Sequence, residues 1–118
     1  MTFPEAVDVG EVRSYSWHPN SRAVQLYRLY GADGSDPNFC AAPKNPTNPA
    51  NCGWRLLATV DTQPRSHDPV GGQYGVSVTN AAHDLGTFRY LLFECYATEI
   101  DDPYGNTFYS EINVMKKK

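Results

Sequence analysis

The sequence has no long hydrophobic run and no concentrated basic patch, and both absences limit what the protein can be. No apolar stretch in the 118 residues approaches the roughly 20 residues that span a bilayer. The first ten residues, MTFPEAVDVG, lack the charged and then apolar layout of a signal peptide. The formal charge is −3, and the only basic run is residues 116–118, which we interpret as a flexible tail. We therefore expect no membrane span and no nucleic-acid partner.

Motifs for catalysis are also missing. The sequence contains no GxSxG, HExxH, glycine-rich phosphate loop or CxxC, and its three histidines fall in separate predicted loops. Glu94 and Glu111 lie on two predicted strands, but a solvent-facing or tyrosine-bonded role explains them better than a glycosidase-type carboxylate pair. These observations favour a protein that is not an enzyme.

Helical periodicity is absent, whereas strand periodicity is frequent. Short runs rich in aromatic and β-branched residues alternate with connections that carry Gly, Pro, Asn or Asp. This pattern predicts one all-β domain over residues 1–118, an antiparallel jelly-roll-like β-sandwich. The six predicted strands are Val7–Trp17, Ala23–Tyr30, Trp54–Asp61, Gln73–Thr79, Phe88–Ala97 and Thr107–Met115.

The last two predicted strands have different patterns. Phe88–Ala97 is apolar almost throughout, as expected of a central strand that is covered on both faces. Thr107–Met115 alternates and places Phe108, Ile112 and Val114 on one apolar face. We predict that these two strands pair with each other and that the polar connection between them lies at one end of the fold.

The three cysteines suggest a covalent link. Cys40 and Cys52 bracket AAPKNPTNPAN, a segment that suits neither helix nor sheet, and a disulfide would close it and contribute about 3 kcal/mol. A free pair is the main alternative, since a zinc site lacks the further ligands it needs. A disulfide would imply an oxidising compartment and hence a secreted parent protein. Strand alternation predicts that Cys95 is a buried free thiol.

Several segments resemble one known family. VQLYRLYGADG followed by CGWRLLATV, and FRYLLFECYA followed by FYSEINV, resemble the strands of discoidin or coagulation-factor type C domains, which are galactose-binding-like jelly rolls. SYSWHP, GQYGVSV and YGNTFYSEINV also resemble domains of secreted multidomain proteins from planctomycete-type bacteria. Relative to the family, the chain is short at its N-terminus, and its Gly34–Trp54 segment is long.

This resemblance implies a non-catalytic binding module of an extracellular or periplasmic protein, with its ligand bound in loops at one end. Alternating strand directions bring residues 18–22, 62–72 and 98–106 to one end of the fold. Aromatic rings there could stack on a sugar, while charged and amide groups could bind its hydroxyls. The candidate ligand residues are Trp17, His18, Asn20, Arg22, Arg65, His67, Asp101, Asp102 and Tyr104.

Each candidate also has a structural interpretation. Trp17 could cap the core, His18 could make a hydrogen bond within the WHPNSR turn, and Arg22 could pair with Asp101 or Asp102. A protein-interaction or spacer role is the alternative function for the domain, which we expect to be monomeric.

A structural calcium ion is a further expectation, because some discoidin-like modules hold one. Asp33 and Asp36 in GADGSD could supply oxygen ligands, although calcium needs six to eight oxygens and Asp-Gly is an ordinary turn pair. We expect no other cofactor.

Overall fold

The computed structural model describes residues 1–19, 21–44, 47–63, 72–98 and 107–118. Over these ranges the chain forms six β-strands and two short 3-10 turns, which confirms the all-β prediction. The strands are β1 (Thr2–His18), β2 (Leu26–Ala32), β3 (Arg55–Asp61), β4 (Gly72–Val78), β5 (Gly86–Cys95) and β6 (Tyr109–Lys116). The 3-10 turns are Ser21–Ala23 and Pro49–Cys52.

All strand pairs are antiparallel, and the sheet has the order β3-β2-β5-β1-β4, with β6 also paired to β1. The first strand begins at Thr2, five positions before the predicted start, and its N-terminal part pairs with β5. The remainder of β1 pairs with β4 on one edge and β6 on the other, since Val12 is opposite both Val78 and Val114. The predicted pairing of β5 with β6 is therefore wrong, because β1 is long enough to pair with both.

Strand β1 changes partners at Gly10. The register with β6 shifts between Val9 and Glu11, which makes Gly10 the extra residue of a β-bulge. A Cβ atom at Gly10 would lie 2.8 Å from the carbonyl oxygen of His83 and 3.1 Å from Cα of Lys117. Only glycine fits where three backbone segments come this close together.

The sheet folds back on itself, in a sandwich-like arrangement. The Ser14 and Tyr27 hydroxyls are 2.8 Å apart although β1 and β2 are not neighbours in the sheet. The aromatic and aliphatic side chains between the two layers form the main core. Its buried members are Val9, Val12, Tyr27, Leu29, Val60, Val78, Leu85, Phe88 and Leu91. The antiparallel fold class is thus confirmed, and the jelly-roll assignment stays a prediction.

A second cluster covers the outer face of β2 and β5. Trp54, Tyr30 and Ala32 are buried there against Phe39 and Tyr90. Leu92 of β5 also packs against this cluster, while Leu91 of β5 belongs to the main core. β5 is therefore covered on both faces, as its apolar sequence predicts.

The predicted disulfide is absent: Cys40 and Cys52 are both free. Noncovalent contacts hold the Gly34–Trp54 segment instead. The Trp54 indole Nε1 donates to the Cys40 carbonyl at 2.8 Å, and the Cys40 backbone N–H donates to the Cys52 carbonyl at 3.1 Å. The Phe39 ring packs 5.3 Å from Trp54 and 4.8 Å from Tyr90. An apolar anchor therefore closes this segment without a covalent bond.

Cys95 is free, as predicted, but it is exposed and not buried, because β5 ends at this residue. Although the residue as a whole is exposed, its sulfur lies toward Tyr109, and desolvation of the sulfur there raises the pKa of the thiol. The predicted C-terminal tail is held to the sheet as far as Lys117. Lys116 is the last residue of β6, and Lys117 donates from its backbone to Asp8 and pairs with Asp84 at 3.0 Å.

Over the described ranges, no helix has the length and apolar character needed to cross a membrane.

Candidate functional site

The segments that flank the predicted ligand loops meet at one end of the sheet. The Phe108 backbone N–H donates to the Arg22 carbonyl at 3.0 Å, and the Thr107 hydroxyl donates to the Val24 carbonyl at 2.5 Å. The Thr62 backbone N–H donates to the Gln25 carbonyl at 2.9 Å. These bonds bring together residues that flank the three connections, and the placement of the connections themselves stays a prediction.

A second β-bulge places an unpredicted aromatic residue at this end. In the β1–β6 register Tyr15 is opposite Glu111, but Ser16 is opposite Tyr109, so Ser110 is an extra residue. The bulge reverses the alternation, and Tyr109 packs inward against Tyr27 with ring centroids 6.0 Å apart. Phe108 is consequently 48% exposed, and the prediction that it shares one apolar face with Ile112 and Val114 is wrong.

Two of the predicted ligand residues pack against the Phe108 ring. The His18 ring is stacked on it with centroids 5.0 Å apart and planes at 21°. The guanidinium carbon of Arg22 lies over the same ring, 4.0 Å from its centroid. Stacking and the cation–π attraction hold the imidazole and the guanidinium at fixed positions beside the loops.

Trp17 provides the open ring surface at this end. Its side chain is 52% exposed, and its backbone N–H donates to the Phe108 carbonyl at 3.2 Å. Trp17 and Phe108 border a surface groove of about 520 Å³, together with His18, Pro19, Tyr109 and Ser110. None of the ring contacts between described residues involves the indole. The exposed indole favours a stacking platform over the core-cap interpretation of Trp17.

A buried polar network supports the turn that carries His18 and Arg22. The side-chain amide of Gln25, which is fully buried, donates to the Ser14 carbonyl at 3.1 Å and to the Ser16 hydroxyl at 3.2 Å. The Ser16 hydroxyl donates in turn to the Ala23 carbonyl at 2.5 Å. Gln25 is not among the candidate residues predicted from the sequence, although a single glutamine inside the apolar run AVQLY is a signal for such a buried role.

The remaining candidate ligand residues lie outside the described ranges. These residues are Asn20, Arg65, His67, Asp101, Asp102 and Tyr104. The alternative in which Arg22 pairs with an aspartate of residues 101–102 therefore also stays a prediction.

The two aspartates of the expected calcium site both cap turns. Asp33 Oδ1 accepts hydrogen bonds from the Ser35 hydroxyl at 2.7 Å and the Ser35 backbone N–H at 2.9 Å, and these bonds lower the pKa of Asp33. Asp36 Oδ1 accepts from the Asn38 backbone N–H at 2.7 Å. Among the described residues no group of three or more His, Cys, Asp or Glu side chains could hold a metal ion. Calcium binding stays a prediction without geometric support.

The chain matches no family model, no curated protein and no solved structure. The discoidin resemblance thus rests on the short sequence segments alone and stays a prediction.

Proposed function

We propose that this protein is a non-catalytic carbohydrate-binding module. The observation that carries the proposal is the exposed Trp17 indole beside the groove, next to the stack of His18, Phe108 and Arg22. An indole face matches the apolar face of a pyranose ring, and stacking of this kind needs no buried charge. The guanidinium and the imidazole lie close by and supply hydrogen bonds to hydroxyl groups.

Preorganisation supports this site. The Trp17 backbone N–H donates to the Phe108 carbonyl, and the Phe108 backbone N–H donates to the Arg22 carbonyl. These hydrogen bonds fix the backbone positions of the three residues relative to one another. A ligand that binds an ordered platform loses less side-chain entropy in the protein, which favours useful affinity at a shallow site.

The proposed location is extracellular or periplasmic, and the family resemblance supports it. Because Cys40 and Cys52 are free, a disulfide no longer supports an oxidising compartment. The binding proposal does not depend on the compartment, because the platform contains no cysteine.

A glycan array followed by isothermal titration calorimetry tests the proposal. The wild type should bind at least one oligosaccharide, and Trp17→Ala should lower its affinity about fivefold or more, if the stacked sugar ring contributes as much as a base stacked on an aromatic side chain, about 1–3 kcal/mol. Leu56→Ala is the control, because Leu56 is a similarly exposed apolar side chain on β3. Absence of binding across neutral and acidic glycans, or equal loss in both variants, contradicts the proposal.

A protein partner is the second candidate, because Trp17, Pro19 and Phe108 border one groove and form a continuous apolar surface. Selection from a displayed peptide library distinguishes the two functions. Peptides that bind the wild type and not Trp17→Ala, in a protein that binds no glycan, would favour the protein partner.

A further inference from the structure

A second groove, also of about 520 Å³, lies on the outer face of β2 and β5. It shares no lining residue with the groove beside Trp17 and Phe108. One wall comes from the Gly34–Trp54 segment and includes Asn48 and Pro49. The opposite wall comes from the sheet and includes Arg28, Glu94 and Tyr96. Leu92 contributes apolar surface between the two walls.

In the wall from the Gly34–Trp54 segment, the part formed by residues 48–54 is preorganised. The Asn48 side chain accepts a hydrogen bond from the Ala50 backbone N–H at 3.0 Å and caps the Pro49–Cys52 turn. Gly53 ends this turn in the left-handed conformation at φ 82°, and Trp54 anchors the segment on the second cluster. The connection from β2 to β3 is longer than a hairpin needs, and long loops on a rigid scaffold commonly carry a binding function.

The sheet wall presents two opposite charges side by side. Arg28 and Glu94 are direct cross-strand partners in the β2–β5 pair. Glu94 accepts a hydrogen bond from the Tyr96 hydroxyl, which raises the pKa of that tyrosine. No ion pair within 4.0 Å joins Arg28 to Glu94 among the described residues. The Arg28 guanidinium interacts with the Tyr30 hydroxyl and the Glu94 carboxylate with the Tyr96 hydroxyl, and each charged group has further donors or lone pairs that a ligand can use.

We propose that this groove binds a neutral sugar residue. A hydroxyl group is both donor and acceptor, so one hydroxyl can accept from Arg28 and donate to Glu94 at the same time, whereas a ligand with one net charge meets a like charge on this wall. Tyr96, which is 37% exposed, and Pro49 provide apolar surface for the ring carbons. The inference takes its ligand class from the proposed function, but it assigns a separate site, which binds its own sugar residue independently of the platform at Trp17 and Phe108.

The test is a ¹H–¹⁵N correlation titration with five probes: cellohexaose, mannohexaose, maltohexaose, xylohexaose and trigalacturonic acid. We expect a neutral probe to shift the amide signals of residues 47, 48 and 92–96. Glu94→Gln should weaken these shifts at least tenfold in apparent affinity, and Phe108→Ala should leave them unchanged. Glu111→Gln is the matched control, because it makes the same change at an exposed glutamate on β6.

The outcomes separate the two proposals. Shifts near Trp17 and Phe108 alone, lost in Trp17→Ala and kept in Glu94→Gln, would overturn the second site and leave the proposed function standing. Shifts at residues 47, 48 and 92–96 alone would support the second site and contradict the platform. Absence of shifts with every probe would overturn the second site, as would tighter binding of trigalacturonic acid than of the neutral probes. Thermal melts of each variant confirm that it is folded.

Discussion

At the scale of single residues, two buried tyrosines show how hydrogen bonding decides whether a hydroxyl stabilises the core. Tyr27 and Tyr109 pack edge to face in the same core. The Tyr27 hydroxyl is bonded to Ser14 at 2.8 Å, whereas the Tyr109 hydroxyl is buried without a hydrogen-bond partner among the described residues. Burial raises the pKa of both phenols, so both stay neutral at physiological pH.

This difference predicts opposite effects of the same substitution. Tyr109→Phe removes an unsatisfied buried hydroxyl and should leave the free energy of unfolding unchanged or raise it by about 1 kcal/mol. Tyr27→Phe leaves the Ser14 hydroxyl without one of its hydrogen-bond partners and should lower the free energy of unfolding by about 1–2 kcal/mol. Urea denaturation followed by circular dichroism measures both values. Equal destabilisation by the two substitutions would contradict this account of Tyr109.

Glu11 gives a prediction about pH. The Ser77 hydroxyl donates to its carboxylate and Arg13 lies 3.0 Å away, and these contacts lower the pKa of Glu11, with Ser77 as the largest cause. A carboxyl group whose pKa is lowered on folding stabilises the fold above its unfolded pKa of about 4.3 and loses that contribution as the pH falls through the folded pKa.

Ser77→Ala should therefore raise the pKa of Glu11 toward its ordinary value. A carbon-detected NMR titration of the glutamate side chains between pH 2 and 7 measures the change. Thr87→Ala serves as the control, because it removes a comparable hydroxyl bond to Asp8 and should leave Glu11 unaffected. An unchanged Glu11 titration in Ser77→Ala would show that the Ser77 bond does not form in solution.

At the scale of the strands, the bulges determine which faces are buried. The sequence predicts all six strands because Gly, Pro, Asn and Asp punctuate the connections strongly. It does not predict that Phe108 is exposed, because one extra residue at Ser110 reverses the alternation and leaves no trace in composition. Trp17 and Arg22 could be selected from the sequence as polar or aromatic residues in a turn, but their common partner Phe108 could not.

The bulge at Gly10 predicts how a substitution there changes the stability of the protein. Gly10→Ala places a methyl group against the backbone of His83 and Lys117, which cannot move aside as a flexible side chain can. We expect a loss of about 2–3 kcal/mol in the free energy of unfolding. Gly75→Ala is the matched control, since its Cβ would meet only the Tyr15 ring at 3.3 Å, and it should change stability by less than about 1 kcal/mol. Similar losses in both variants would show that backbone crowding at the bulge is not the cause.

At the scale of the whole molecule, packing closes the longest connection. The composition of AAPKNPTNPAN favoured closure of this segment by a disulfide, because the segment has little apolar surface of its own. The flanking residues supply that surface instead: Phe39 precedes the segment, Trp54 follows it, and both pack with Tyr90 of β5. This contact is distant in sequence, and local composition therefore could not predict it.

The free cysteines give the last prediction. All three thiols of the folded protein should react with Ellman's reagent without denaturant, since Cys40 and Cys95 are exposed and Cys52 is partly exposed. Reductant should leave the melting temperature unchanged, and Phe39→Ala should lower it because it removes a ring of the anchoring cluster. A Cys40–Cys52 bridge would give one reactive thiol and a melting temperature that falls on reduction, in line with the loss of about 3 kcal/mol. That result would contradict closure of the segment by packing alone and would restore the argument for an oxidising compartment.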